Sequence, residues 1–334
     1  MMAATVSWPA GQPHGRRFPA AGAASLGVRG LIDGPRQPAR VIAAFASAIY
    51  MELRAPGPEP RVLALVGPAA VRLPNAVVLT PQTTRPAARD TTRYTGRASA
   101  PSPNRLAGSP RGNAAEAAWF ASAQTGHDAF VGEGLVQAGR IRVPVRRWWD
   151  PSPVLGPLSR ARLEQGCVAL EGICAASARR PGLEGHQGPA TLAASCAAGD
   201  LASAVETAES LIGLGPGLTP SGDDMLAGLL LALRLLGGAI RGGTRAVWLA
   251  DWLSAAVTHD ASDRTTSVSA TLLHCAARGQ AAAEVATVLR AFAGQEPAGP
   301  AVARLLAAGH TSGADLAWGL AAGCRAALAL SADS

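Results

Sequence analysis

"GLVQAGRIRVPVRRWWDPSPVL" (residues 134–155) runs almost directly into "LSRARLEQGCVALEGICAAS" (158–177). In the first stretch Ile141, Val143 and Val145 alternate with Arg140, Arg142 and Arg146, the period of a half-buried strand. It stops at a Trp148-Trp149-Asp150-Pro151 corner. In the second stretch the apolar residues recur at helical spacing. The change of period near residue 155 divides the chain into two parts of different secondary structure.

Upstream, "RVLALVGPAAVRLPNAVVLT" (61–80) holds two short apolar runs broken by Gly-Pro and Pro-Asn, the grammar of strand, turn and strand. Residues 81–115 have almost no apolar content and read as a mobile insertion. Downstream, "ATLAASCAAGDLASAVETAESLIG" (190–213), "AVWLADWLSAAVTH" (246–259), "SVSATLLHCAARG" (267–279) and "AAAEVATVLRAFAG" (281–294) carry helical spacing, and several end in Gly, a common helix stop. The expected fold class is α+β: a β-rich N-terminal domain, barrel- or sandwich-like, packed on an all-helical C-terminal domain. The expected domains are a disordered leader at 1–30, a β-rich domain at 31–150 and a helical domain at 156–330. Trp148, Trp149 and Asp150 are expected to anchor the corner between the domains, with ligand contact as the alternative.

Composition narrows the chemistry. The 334 residues are 48% hydrophobic and 16% charged, enough to bury large cores. All thirty basic residues are arginine, so neither a Schiff-base lysine nor a lysine-bearing phosphate loop exists. Residues 1–150 hold 18 Arg against 8 acids, and residues 151–334 hold 12 against 15. The basic half lacks the aromatics and signatures of a nucleic-acid binder, since aromatics are only 4% of the chain. The five cysteines are odd in number and form no C-x-x-C, which reads as reduced thiols in a cytoplasmic protein. Arg16-Arg17 before "FPAAGAASLGV" raises a twin-arginine export signal, but the apolar part is too weak for one. No run reaches the roughly 18 apolar residues of a membrane span.

The densest chemistry lies in "GLGPGLTPSGDD" (213–224). Its core has a second copy 91 residues on: Ser221-Gly222-x-Asp224-x-x-x-Gly228-Leu229 matches Ser312-Gly313-x-Asp315-x-x-x-Gly319-Leu320. Thr219 precedes the first copy and Thr311 the second. A serine N-cap with an acid three residues on is a capping box, so Asp224 and Asp315 are read as structural caps. Gly228 and Gly319 weaken their helices by roughly 1 kcal/mol each, which close helix–helix approach would offset. A cap needs none of Gly213, Gly215, Gly217 or Asp223. Alternating glycines before a helix start expose several N–H groups together, an anion-binding nest. Asp223 is then free to act as a base, bind a substrate N–H or hold a metal. The two adjacent acids would repel a bare anion, and three things could offset them: Mg²⁺ at Asp223 and Asp224, an arginine such as Arg264, or a substrate amide. No resident cofactor or metal is otherwise expected.

These blocks resemble the AllH-type family, formerly a domain of unknown function, which includes a subunit of bacterial oxamate carbamoyltransferase. The resemblance rests on "GLGPGLTPSGDDMLAGLL" (213–230), "RWWDPSP" (147–153), "RTTSVSATLLHCAARG" (264–279) and "GHTSGADLAWGL" (309–320), in that family's order, and spans roughly residues 40–330. It implies a multi-subunit enzyme of allantoin breakdown that interconverts oxamate and carbamoyl phosphate with oxalurate and phosphate. The expected site comprises Asp223 and His310 as catalytic groups. Gly213, Gly215, Gly217, Thr219, Ser221, Gly222, Arg264, Thr265, Thr266, Thr311, Ser312 and Gly313 are the expected anion-binding groups. The expected partners are a small anionic substrate and other subunits of a carbamoyltransferase complex. A non-catalytic module that senses or presents a small anion is the competing reading. Cys275 is read as core.

Overall fold

The computed structural model describes residues 21–54, 59, 61–80 and 119–331. The expected insertion at 81–115 and residues 1–20 of the expected leader lie outside the described residues.

The N-terminal part is a closed barrel of eight strands. They are β1 (Ala21–Ser25), β2 (Gln37–Ala44), β3 (Ala48–Leu53), β4 (Val62–Val66), β5 (Ala76–Thr80), β6 (Asp128–Gly132), β7 (Leu135–Ala138) and β8 (Ile141–Trp149). A short helix, α1 (Arg29–Asp33), follows β1. The order round the barrel is β1-β5-β4-β3-β2-β6-β7-β8, and β8 closes on β1 in parallel. The alternation that marked 141–145 is observed in β8: Ile141, Val143 and Val145 are buried and Arg142 and Arg146 exposed.

One feature departs from the sequence reading. Residues 21–30 are not leader: β1 is a barrel strand wedged between β5 and β8. A Cβ on Gly22 would lie 2.8 Å from both Val143 Cγ1 and Val77 Cγ1, so only small residues fit there. Their smallness is what made the segment read as unstructured. The two apolar runs of 61–80 are strands as read, β4 and β5, and they pair in parallel. Every residue of β4 is buried. One face lines the barrel interior with Leu63 and Leu65, and the other joins an outer apolar patch of Ala64, Val66, Ala76 and Val78. A strand covered on both faces reads as a continuous apolar run rather than an alternating one.

The C-terminal part is helical throughout. Its helices are α2 (Arg160–Ala176), α3 (Gln187–Ala198), α4 (Leu201–Leu211), α5 (Ser221–Ala239), α6 (Thr244–His259), α7 (Ala261–Arg264), α8 (Ser267–Ala277), α9 (Ala283–Phe292), α10 (Ala298–Leu306) and α11 (Ser312–Leu330). Helix α5 is buried on every side over most of its length, the property of a helix at the centre of a core. It runs beside α11 in the same direction, their starts together. The barrel docks on α8 and the α8–α9 connection. The Val62 N–H donates to Thr271 Oγ1 (3.2 Å), Ala283 N–H to the Arg72 carbonyl (3.0 Å), and Ala281 N–H to the Pro151 carbonyl (2.9 Å). Arg278 pairs with Glu59 at 2.9 Å. All five cysteines are free, and Cys275 is buried as core. Among the described residues no helix is long and apolar enough to cross a membrane.

Candidate functional site

The loop before α5 bends at Gly213, Gly215 and Gly217, whose φ values are 74°, 116° and 98°. These positive angles suit glycine and strain other residues. A Cβ on Gly213 would overlap the Arg264 carbonyl, so the loop presses against the α7–α8 corner. Thr266 fixes that contact twice. Its hydroxyl donates to the Leu218 carbonyl (2.5 Å) and accepts the Ser269 N–H (3.0 Å) as the N-cap of α8.

The anion that meets this loop is the protein's own Asp223. Its Oδ1 accepts the Gly213 N–H at 2.8 Å. Its Oδ2 accepts the Ser269 hydroxyl at 2.7 Å and the Thr265 hydroxyl. Asp223 is 1% exposed and is not among the residues that line the cavity between barrel and helices. It therefore ties α5 to the glycine loop and to α8, which corrects its expected role as a free catalytic carboxylate. Two other expected site residues, Arg264 and His310, are exposed. Arg264 donates to the Glu209 carbonyl (2.5 Å) and lies 3.7 Å from Asp260, held on the exposed side of α4. His310 is exposed, and its carbonyl accepts from Arg179 at 3.2 Å.

The two motif copies do converge. Thr219 and Ser312 share a hydrogen bond at 3.1 Å, and Ser221 and Thr311 one at 3.4 Å. The capping boxes are not formed. Pro220 and Thr311 occupy the cap positions, neither start receives a side-chain cap bond, and Ser221 and Ser312 sit one residue inside their helices. The hydroxyls and carboxyls cross between the helices instead. Asp224 of α5 is hydrogen-bonded by Ser312 of α11 and by Thr219. Asp315 of α11 is hydrogen-bonded by Ser221 of α5 and by Thr311, and its Oδ1 accepts the Gly182 N–H at 2.7 Å. Gly222 and Gly313 are packing positions. A Cβ on either would overlap the last turn of the preceding helix, at the Leu211 and Leu305 carbonyls respectively. Their N–H groups donate to the Leu214 and Ala308 carbonyls.

Both crossed carboxyls are buried and each keeps one oxygen, Oδ2, without a partner. Burial pushes Asp224 up to about 8, with the charges of Asp315 and Asp223 adding to the rise and the Ser312 and Thr219 hydrogen bonds opposing it. Burial also raises Asp315, against its hydrogen bonds from Gly182, Ser221 and Thr311. The adjacent Asp223 and Asp224 face different surroundings, one α8 and the other a cavity.

That cavity, of about 520 Å³, lies between the barrel and the helices. Thr219, Asp224, Gly309 and Ser312 line it from the helix starts, Phe45 and Tyr50 from β3 and the turn before it, and Gln280 and Glu284 from the α8–α9 region. Phe45 and Tyr50 meet edge to face at 6.1 Å. Burial raises the Tyr50 hydroxyl and the Glu284 carboxyl. Sequence reasoning missed Tyr50, Gln280 and Glu284. Glu284 is a lone acid in the first turn of α9, a position that also suits the helix dipole, so nothing in its spacing marked it as a cavity residue.

No solved structure matches the chain. Over residues 211–324, from the end of α4 through the crossed pair and into α11, the chain matches the family described as oxamate carbamoyltransferase subunit AllH, the family that its sequence motifs resemble.

Proposed function

We propose that this chain is a subunit of an oxamate carbamoyltransferase-type enzyme and that the cavity between barrel and helices holds its small substrate. The observation that carries the reading is the placing of Thr219, Asp224 and Ser312, drawn from both motif copies inside the matched segment, at one wall of that cavity. A pocket of this size between domains, with few polar groups on an apolar lining, is the usual form of a small-molecule site.

In the transfer from carbamoyl phosphate to oxamate, the amide nitrogen attacks the carbamoyl carbon. A C–N bond forms, the carbon–oxygen bond to phosphate breaks, and phosphate leaves with the electron pair. The nitrogen gives up one proton. Asp224, with its free Oδ2 and a pKa near 8, suits an acceptor for that proton above about pH 8, where it is ionised. This assigns to Asp224 the role that the sequence gave to Asp223. Thr219 and Ser312 orient the carboxyl. The anionic ends of the substrates then lie away from Asp224, toward N–H groups at the helix starts or toward groups on the other subunits.

The competing reading is a subunit that binds without turning over. Calorimetry with carbamoyl phosphate, oxamate and phosphate tests binding, and turnover with and without the partner subunits separates catalysis from presentation. Binding of neither oxamate nor carbamoyl phosphate, with partners present, would overturn the proposal.

A further inference from the structure

Helix α6 carries two exposed tryptophans on one face. Arg245, Trp248, Trp252, Ala255 and His259 recur at spacings of three and four, which places them along one side of the helix, and all five are exposed. Trp248 is 53% and Trp252 52% exposed, and among the described residues no other tryptophan is exposed. Their rings meet edge to face at 6.0 Å, so they form one apolar patch rather than two scattered side chains. Beside Trp248 the surface dips into a hollow of about 220 Å³, bounded by Arg245 and Leu249 of α6, Gly199 at the end of α3 and Leu330 at the end of α11. Nothing in the folding of the single chain requires such a patch in water, and tryptophan and arginine are the residues most enriched where proteins meet.

The charges at the two ends of α6 are opposite, and each sign stands at the end that the helix dipole disfavours. Arg241 and Arg245 lie at the N-terminal end, and the first turn holds no acid. Asp260 and Asp263 lie just beyond the C-terminal end, where His259 and Arg264, 3.7 Å from Asp260, offset part of their charge. In the middle, Asp251 is balanced by Arg234 at 2.6 Å. A patch that is apolar at its centre, positive at one end and negative at the other is complementary to itself when turned end over end. We propose that this face joins two copies of the chain, packed antiparallel through α6 about a two-fold midway between Trp248 and Trp252. Residues equally far from that midpoint on opposite sides then face each other. Trp252 meets the partner's Trp248 and the hollow beside it, and Arg241 and Arg245 meet the end that carries the partner's Asp260 and Asp263. The two-fold repeats both contacts, as in any isologous interface. The inference is independent of the ligand assigned to the cavity.

The test is sedimentation velocity of the full chain from about 1 to about 100 µM. A dimer is expected, and Trp248→Ala and Trp252→Ala are each expected to weaken it by at least about tenfold. Charge exchange tests the antiparallel arrangement. Arg241→Glu with Arg245→Glu forms one variant, and Asp260→Arg with Asp263→Arg forms the other. Each should be monomeric alone, because like charges then meet at both ends, and a mixture of the two should form a heterodimer. Both variants match the helix dipole better than the natural chain does, so loss of the dimer cannot be put down to loss of the fold, which circular dichroism checks. A chain that stays monomeric throughout the range would overturn the proposal. A dimer indifferent to both tryptophan substitutions, or a mixture of the charge variants that stays monomeric, would do the same. Association through this face only after another kind of subunit is added would assign the face to that subunit and sink the second copy.

Discussion

Gly228 of α5 lies against the Leu316 carbonyl of α11, and Gly319 of α11 lies against the Met225 carbonyl of α5. The second contacts match too: a Cβ on Gly228 would come 3.0 Å from the Leu320 nitrogen, and one on Gly319 would come 2.8 Å from the Leu229 nitrogen. Each pair is carried onto the other by the same offset of 91 residues that relates the sequence motifs. The two helices are thus related by a local two-fold, and the crossed hydrogen bonds Asp224–Ser312 and Asp315–Ser221 obey it.

Gly228→Ala and Gly319→Ala should each destabilise the protein. Alanine gains about 1 kcal/mol of helix propensity. Overlap with backbone of the neighbouring helix, which cannot rotate away, costs about 3 kcal/mol. A net loss of about 2 kcal/mol in urea unfolding is expected for each. Gly238→Ala is the control, because its Cβ would meet nothing within 4 Å, and it should leave stability unchanged or raise it by up to about 1 kcal/mol. Equal effects at positions 228 and 238 would refute the close packing.

Asp223→Asn should act on stability. It leaves the donors of Gly213, Thr265 and Ser269 facing an amide that can accept at only one oxygen. Breaking such a buried network costs about 2–3 kcal/mol. Denaturant melting measures this. Ligand affinity of the folded variant should change by less than about threefold, because Asp223 does not line the cavity between barrel and helices. A large affinity loss without a stability loss would restore Asp223 as a site residue.

The pH dependence has a definite sign. Asp224 holds its proton up to about pH 8 in the folded chain, against 3.8 for an ordinary aspartate. Between those values the folded state binds more protons than the unfolded one, so this group's contribution to stability is complete below about pH 4 and is lost as pH rises through about 8. The slope it contributes is at most about 1.4 kcal/mol per pH unit. Asp315 and Glu284, also raised, act in the same direction. Asp224→Asn, neutral throughout, should flatten the curve and be the more stable protein at pH 8 and above. Denaturation midpoints from pH 5 to 9 decide it, and parallel curves for both proteins would exclude the raised carboxyl.

The legible part of the structure was whatever depended on the period of burial. Alternation at Ile141, Val143 and Val145 and helical spacing after residue 155 foretold a β-rich N-terminal part and a helical C-terminal part. The matched serines foretold that the starts of α5 and α11 meet. Which atoms meet there was not legible. A Ser-x-x-Asp string is the same whether the serine occupies the cap or the first helical turn. Here Pro220 and Thr311 take the cap positions, so each serine turns to the opposite helix. Asp223 and Asp224 could not be told apart from spacing either. One step along a helix rotates the side chain by about 100°, enough to point one carboxyl into α8 and the other into the cavity. Tyr50, Gln280 and Glu284 reach that cavity only through the docking of barrel on helices, which no local pattern records.

The crossed arrangement makes a prediction that separates it from simple capping. Hydrogen bonds from Ser312 and Thr219 hold Asp224 down against its burial. Ser312→Ala removes one of them, so the Asp224 carboxyl, followed by its carbon-13 shift and assigned with Asp224→Asn, should titrate above its present value of about 8. Ser221 lies on the same helix as Asp224, three residues away, where a capping box would place its partner. In the structure Ser221 serves Asp315 instead. Ser221→Ala should therefore raise Asp315 and leave Asp224 where it is, or lower it slightly as Asp315 loses charge. If Ser221→Ala raises Asp224 and Ser312→Ala does not, the serines act within their own helices, and the crossed pair, with the orientation it gives to Asp224 in the cavity, is wrong.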